Sequence, residues 1–122
     1  MTHESPIDSR VFDEFRDGGP GSGANDFVSE LINQYLADSI VRMAALKDAV
    51  TRLDAPGLEM ATHSLNGSSS AVGANRMAAM CAVLERLARN ETLDGTPVLV
   101  TALENEFTRV RHALQVEQGT AP

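Results

Sequence analysis

The chain has 122 residues and an ordinary apolar content of 43%, which suits one compact domain filling a single core. Its formal charge of −7 repels polyanions and argues against nucleic-acid binding. No stretch has the apolar length of a signal peptide core or a membrane span, so the expectation is a soluble cytoplasmic protein without a membrane partner.

The elements, taken in chain order, are helical throughout. Ser5-Pro6 has the form of an N-cap followed by a first-turn proline, and Ile7, Val11, Phe12 and Phe15 then give a short amphipathic helix. Residues 17–26, DGGPGSGAND, break it, and about 18–25 are expected to be a flexible glycine-rich connector. That run lacks the Lys and Ser/Thr of a phosphate-cradling loop. From Asp26 to Leu53 the pattern is helical, with Val28, Leu31, Ile32, Tyr35, Leu36, Met43, Leu46, Ala49, Val50 and Leu53 on one side. Arg42 lies within that stripe and is expected to pack its stem while its head reaches outward.

Asp54 and Pro56 mark a cap and first turn for a third helix, which ends near Gly73. A fourth helix runs from about Asn75 to Arg89, with Met77, Met80, Cys81, Leu84, Leu87 and Ala88 on one face. Cys81, the single cysteine, has no disulfide partner in the chain and reads as a small buried thiol. Thr96-Pro97 opens a fifth helix carrying Val100, Leu103, Phe107, Val110 and Leu114, and residues 117–122 are expected to fray. No strand pattern and no internal repeat occur. The fold class is therefore all-α: one domain over 1–122, an antiparallel four-helix bundle with an additional short N-terminal helix.

The third helix contains an anomaly. Gly67 and the serines at 68, 69 and 70 are poor helix formers, and they follow His63, one of three histidines. On a helical wheel, Leu58, Ala61, Leu65 and Val72 fall within about 40° of the pole opposite His63. The core should lie there, so His63 faces outward, with Glu59, Asn66, Gly67 and Ser70 as face neighbours. Gly67, one turn on, would leave the imidazole accessible. Tight helix packing explains the small residues equally well from helical spacing alone. His3 and His112 have no comparable setting.

His63-Ser64-Leu65-Asn66-Gly67-Ser68-Ser69, followed by Val72-Gly73-Ala74, closely resembles the motif of histidine-containing phosphotransfer (HPt) domains, approximately H-x-L-K-G-S/A-S/A and then an apolar residue before G-A. The segments NDFVSELINQYLADS and MCAVLERLAR resemble the helices on either side of that motif in the family. The resemblance implies a phosphorelay intermediate that takes a phosphoryl group from a receiver-domain aspartate and passes it to another, with His63 as the phosphoacceptor. It implies partners among response-regulator receiver domains and a hybrid sensor histidine kinase. It implies a monomeric carrier, not an enzyme, with no cofactor or metal of its own, Mg²⁺ belonging to the receiver.

A neutral exposed imidazole is itself nucleophilic and can attack an acyl phosphate without a general base. Asn66, Gly67 and Ser70 would form the phosphate environment and its access, and Met60, Ile40 and Val41 are the candidate docking residues. An alternative is an HPt-like adaptor that docks a receiver or kinase without carrying phosphate. Asn66 keeps that alternative open, because it stands where the family usually has a lysine and offers N–H donors without charge. Arg76 or Lys47 are candidates to compensate. Charge-assisted bonds are about twice as strong as neutral ones, so Asn66→Lys is expected to slow loss of the phosphoryl group from His63. An unchanged half-life of the phosphorylated protein would count against that role for position 66.

Overall fold

The structure is a computed structural model and describes residues 5–16 and 23–120. A 3₁₀ turn, Ser9–Phe12, leads into a single helical turn, α1 (Asp13–Arg16). Four long helices follow: α2 (Ala24–Thr51), α3 (Ala55–Ala71), α4 (Asn75–Arg89) and α5 (Thr96–Gln118). The last four form the expected bundle. Each packs against its neighbours in the chain, and α5 closes the ring against α2.

Side-chain pairs give the directions. On α2 and α5, Ser29 meets Gln118 while Lys47 meets Glu104, so these helices run antiparallel. On α3 and α4, His63 meets Glu85 while Glu59 meets Arg89, again antiparallel.

The buried stripes are those that the helical spacing picks out. Val28, Ile32, Tyr35, Met43, Leu46 and Ala49 come from α2, and Leu58, Ala61 and Leu65 from α3. Met77, Cys81, Leu84 and Ala88 meet them from α4, and Val100, Leu103, Phe107, Val110 and Leu114 from α5. Each fully buried Leu contributes about 1.5–3 kcal/mol relative to exposure. With so few aromatic residues, this aliphatic interior carries the fold. None of the described helices is long and apolar enough to cross a membrane.

The structure corrects several expectations at the helix ends. The first helix is capped by Asp8, whose Oδ1 accepts the Arg10 N–H at 3.1 Å, and not by Ser5. Ile7 and Phe12 are buried, but Phe15 is exposed and its ring lies against Phe27, tilted by 43° with centroids 5.1 Å apart. Helix α2 starts at Ala24, two residues earlier than expected, so of the proposed connector only residues 18–23 remain, of which 18–22 lie outside the described residues. At the other terminus α5 continues through Gln118. Glu117 pairs with Arg16 at 2.9 Å, and the Gln118 amide donates to the Ser29 carbonyl at 2.9 Å. These anchors extend the helix past Val116; residues 121–122 lie outside the described residues.

Four helices end alike, in a left-handed residue that lets its own N–H and the next one reach back to orphan carbonyls. Gly73 and Gly119 adopt that conformation at no steric cost. The loss of a side chain is forced at Gly73, because the Asp8 N–H donates to its carbonyl at 2.8 Å and a Cβ would sit 2.6 Å from the Asp8 carbonyl oxygen. The other two ends use Leu53 (φ 55°) and Glu91 (φ 57°), at about 1 kcal/mol of strain each. Leu53 was expected in the buried stripe of α2. The helix stops at Thr51, the chain turns, and Leu53 stands 73% exposed.

The serine-rich segment of α3 has a packing role at one position. Ser69 is fully buried and its hydroxyl lies 2.8 Å from the Tyr35 hydroxyl on α2. Burial raises the Tyr35 phenol pKa, and the Ser69 hydrogen bond opposes that shift. Ser69→Ala leaves this pair broken in the interior and should cost about 1–2 kcal/mol in chemical denaturation; an unchanged midpoint would show that the pair contributes nothing.

Cys81 is fully buried, and burial pushes its thiol up to about 12 from 9.0. The folded state therefore holds a proton that the unfolded state loses above pH 9, so stability should fall as pH rises from about 9 towards 12. In the folded protein iodoacetamide should not alkylate Cys81 at pH 8 over a time in which the urea-unfolded chain reacts fully.

Candidate functional site

The site is built on the outer face of α3, where it packs against α4. Its inner face, Leu58, Ala61, Thr62, Leu65 and Ser69, is buried. That fixes the rotation of the helix and turns His63 outward, with 77% of its side chain exposed. The turn at Gly73–Ala74 then folds α4 back alongside. The pairs His63–Glu85 and Glu59–Arg89 are both symmetric about position 74, as an antiparallel hairpin requires.

Glu85 lies beneath the imidazole. Its Oε2 is 2.9 Å from His63 Nδ1, and only 10% of its side chain is exposed. A carboxylate only accepts hydrogen bonds, so Nδ1 carries the proton and donates it. In a neutral ring the lone pair is then on Nε2, the nitrogen farther from Glu85. Arg89, one turn along α4, donates to the same Oε2 at 2.9 Å, and its Nε lies 3.9 Å from Glu59 on α3. The arrangement is a row of carboxylate, guanidinium and carboxylate, with the imidazole standing at one end.

These residues line an open groove of about 560 Å³ between α3 and α4, floored by Ala55 and Ala88 and flanked by Pro56 and Met60, with Glu91 at its far rim. Met60, a candidate docking residue, is 72% exposed and lines the groove beside His63. Ile40 does not join it. It lines a separate groove between α2 and α5 with Met43, Lys47 and Phe107, on the side of the ring opposite to α3 and α4. Val41 is exposed and lines neither groove. Both are apolar and lie off the buried stripe of α2, which leaves open the flank of the helix that each occupies.

Around the imidazole, Asn66 is half-buried, and Gly67 and Ser70 are exposed. A Cβ at Gly67 would meet nothing within 4 Å. Tight packing therefore does not require glycine here, and neither does relief of crowding on His63 in the resting structure; the space it leaves faces outward. Neither Arg76 nor Lys47 reaches the site. Arg76 lies 3.8 Å from Glu106 and Lys47 2.9 Å from Glu104, both on α5. The cation beside His63 is Arg89, which the sequence reading missed together with Glu85. Both were visible in principle: Glu85 and Arg89 are an i,i+4 pair, and the mirror position of His63 about the Gly73–Ala74 turn is Glu85.

Among the described residues no cluster of three or more His, Cys, Asp or Glu side chains could hold a metal ion. What remains is a nucleophilic nitrogen exposed to solvent, oriented by a carboxylate and open to a large visitor.

Comparison with known proteins agrees with this geometry. The family model described as "Hpt domain" matches residues 30–113. Two curated proteins, both called histidine-containing phosphotransfer protein 2, are similar: that of Arabidopsis thaliana is 28% identical over 96 residues, and that of Oryza sativa subsp. japonica is 28% identical over 97. Each match covers 76% of this chain but only 62% and 64% of the relative, so the chain spans less than two thirds of their length. The crystal structure of histidine-containing phosphotransfer protein B (HptB) from Pseudomonas aeruginosa PAO1 superposes with a TM-score of 0.83 at 28% identity, covering 98% of this chain and all of that one. The maize protein ZmHP2 shares the fold, with a TM-score of 0.79 at 22% identity over 95% of this chain and 85% of that one. With a family match across most of its length and the motif histidine standing outward on α3, the chain belongs to the Hpt domain family.

Proposed function

We propose that this protein is a phosphoryl carrier in a His–Asp phosphorelay, taking the group onto His63 from the aspartate of one receiver domain and delivering it to the aspartate of another. The observation that carries this reading is the exposed imidazole held by Glu85 at 2.9 Å through Nδ1, which leaves Nε2 free to react. The names of the similar proteins from Arabidopsis, rice and Pseudomonas support it.

The step follows from the geometry. The Nε2 lone pair attacks phosphorus of the aspartyl phosphate as the P–O bond to the aspartate breaks, and the electron pair leaves with the carboxylate. Nδ1 keeps its proton, so the phosphorylated ring becomes a cation. The negative charge of Glu85 lies against that cation and stabilises it, and the same contact holds the ring in its attacking orientation. The receiver supplies its metal ion and most of the charge neutralisation on the phosphoryl oxygens. Transfer to a second receiver is the same step reversed. Arg89 keeps Glu85 in place through their shared bond and is the cation nearest to the ring, a role that Asn66 cannot fill without charge.

Such a carrier works as a monomer in the cytoplasm, where receivers and the transmitter parts of sensor kinases are found. The exposed face has the room this needs, since Gly67 and Ser70 leave the helix surface low beside the ring.

The test is transfer from an aspartyl-phosphorylated receiver domain. The expected result is acid-labile, alkali-stable phosphate on the protein, lost in His63→Gln. Receiver binding without transfer would favour the adaptor reading instead. Glu85→Gln keeps an acceptor for Nδ1 but removes the charge. A charged bond is worth about 1 kcal/mol more than a neutral one, so transfer should slow by about fivefold to tenfold. A Glu85→Gln rate equal to wild type would remove Glu85 from the mechanism.

A further inference from the structure

The two helix ends that keep a side chain in the left-handed region stand at one end of the bundle. Leu53 follows α2, Glu91 follows α4, and α3 begins between them at Ala55. The His63 groove runs to this end: Ala55 and Pro56 line it from α3, and Glu91 lines it directly. At the opposite end, the equivalent positions are glycines. Asp8 forces this at Gly73, but a Cβ at Gly119 would meet nothing within 4 Å, so glycine occurs there with open space around it. Leu53 and Glu91 also face open space, yet they are not glycines.

Neither side chain contributes to the fold. Leu53 is 73% exposed and lies outside the core. Glu91 is exposed, and its side chain has no hydrogen bond or ion pair among the described residues. Strain kept without an internal return points to a contact outside the molecule.

We propose that Leu53 and Glu91 are docking residues for the receiver domain, setting which receiver seats on His63. The proposal rests on the carrier reading above. The partner it fits carries an apolar patch opposite Leu53 and Met60 and a basic side chain opposite Glu91 and Glu59. The size of such a contact supports this placement. A stable interface covers about 800 Å² on each partner, a disc of roughly 16 Å radius. Ala55 stands eight residues before His63, roughly 12 Å along α3, and Leu53 lies two residues beyond it. Arg89 stands four residues beyond Glu85, roughly 6 Å along α4, and Glu91 lies two residues beyond it. A receiver centred on His63 and following the groove therefore reaches both.

The test compares Leu53→Gly and Glu91→Gly with wild type by three readouts. The first is thermal unfolding, where relief of strain should raise Tm by about 2–5 °C in each variant. The second is labelling of His63 by phosphoramidate, a small donor that needs no docking, and this should be unchanged. The third is transfer from the fastest donor in a panel of acetyl-phosphate-loaded receiver domains, assayed below saturation. It should fall about tenfold for Leu53→Gly, and less for Glu91→Gly with a weaker dependence on salt.

Transfer at the wild-type rate in both variants would overturn the proposal. So would a loss of phosphoramidate labelling that matches the loss of transfer, which would place the effect at His63 itself. A wild-type dimer that Leu53→Gly dissociates would assign this surface to a second copy of the chain instead. If wild type takes phosphate from neither donor, the carrier reading fails and the proposal goes with it; if it takes phosphate from both and the variants transfer normally, only the proposal fails.

Discussion

The site depends on the antiparallel registration of α3 against α4 about the Gly73–Ala74 turn. That turn requires a left-handed residue without a side chain, because the N-terminal arm lies directly on it through the Asp8 backbone. Small buried residues, Ala61 on α3 and Ala78, Cys81 and Ala88 on α4, let the two helices approach closely. With the turn set and the helices in contact, Glu85 has one place to be, and it is under His63. A slip of one residue would rotate Glu85 by about 100° and take the carboxylate away from the ring.

Helix α3 divides its labour by face. The inner face holds apolar side chains and two satisfied hydroxyls: Thr62 donates to the Leu58 carbonyl at 2.7 Å, and Ser69 pairs with Tyr35. The outer face holds His63, Gly67 and Ser70, which contribute little to packing. A glycine at an exposed helical position costs about 1 kcal/mol relative to alanine, and nothing in the resting molecule requires it at 67. The same economy is visible at Leu53 and Glu91, where strain is tolerated beside the groove. Local stability is given up along one surface, and that surface is the one holding the exposed nucleophile.

The charge layout follows a similar logic. Overall the chain is acidic, and the groove holds three carboxylates, Glu59, Glu85 and Glu91, with Arg89 among them. Arg89 joins Glu59 to Glu85 across the helix pair, so the carboxylate under the ring is held from two sides. A buried carboxylate without such partners would be costly. In the proposed transfer its charge would stabilise the cationic ring that phosphorylation of His63 creates.

Much of this molecule was legible in the chain alone. Apolar spacing of three and four residues marked out all four bundle helices, and the Gly73 and Asp54-Pro56 punctuation bounded α3 within a residue or two. The opposition of His63 to Leu58, Ala61 and Leu65 places the imidazole on the outer face from helical periodicity alone. These are local facts, set by a period of 3.6 residues and by the backbone demands of glycine and proline. What the tertiary structure decided were relations between helices: Glu85 and Arg89 beside His63, Ile40 on the far groove, Lys47 and Arg76 paired towards α5, and Leu53 turned out of the core. A helical wheel gives the direction of a side chain relative to its own axis. Which neighbour waits in that direction depends on the order, rotation and register of helices packed together, and those come only from closing the whole core.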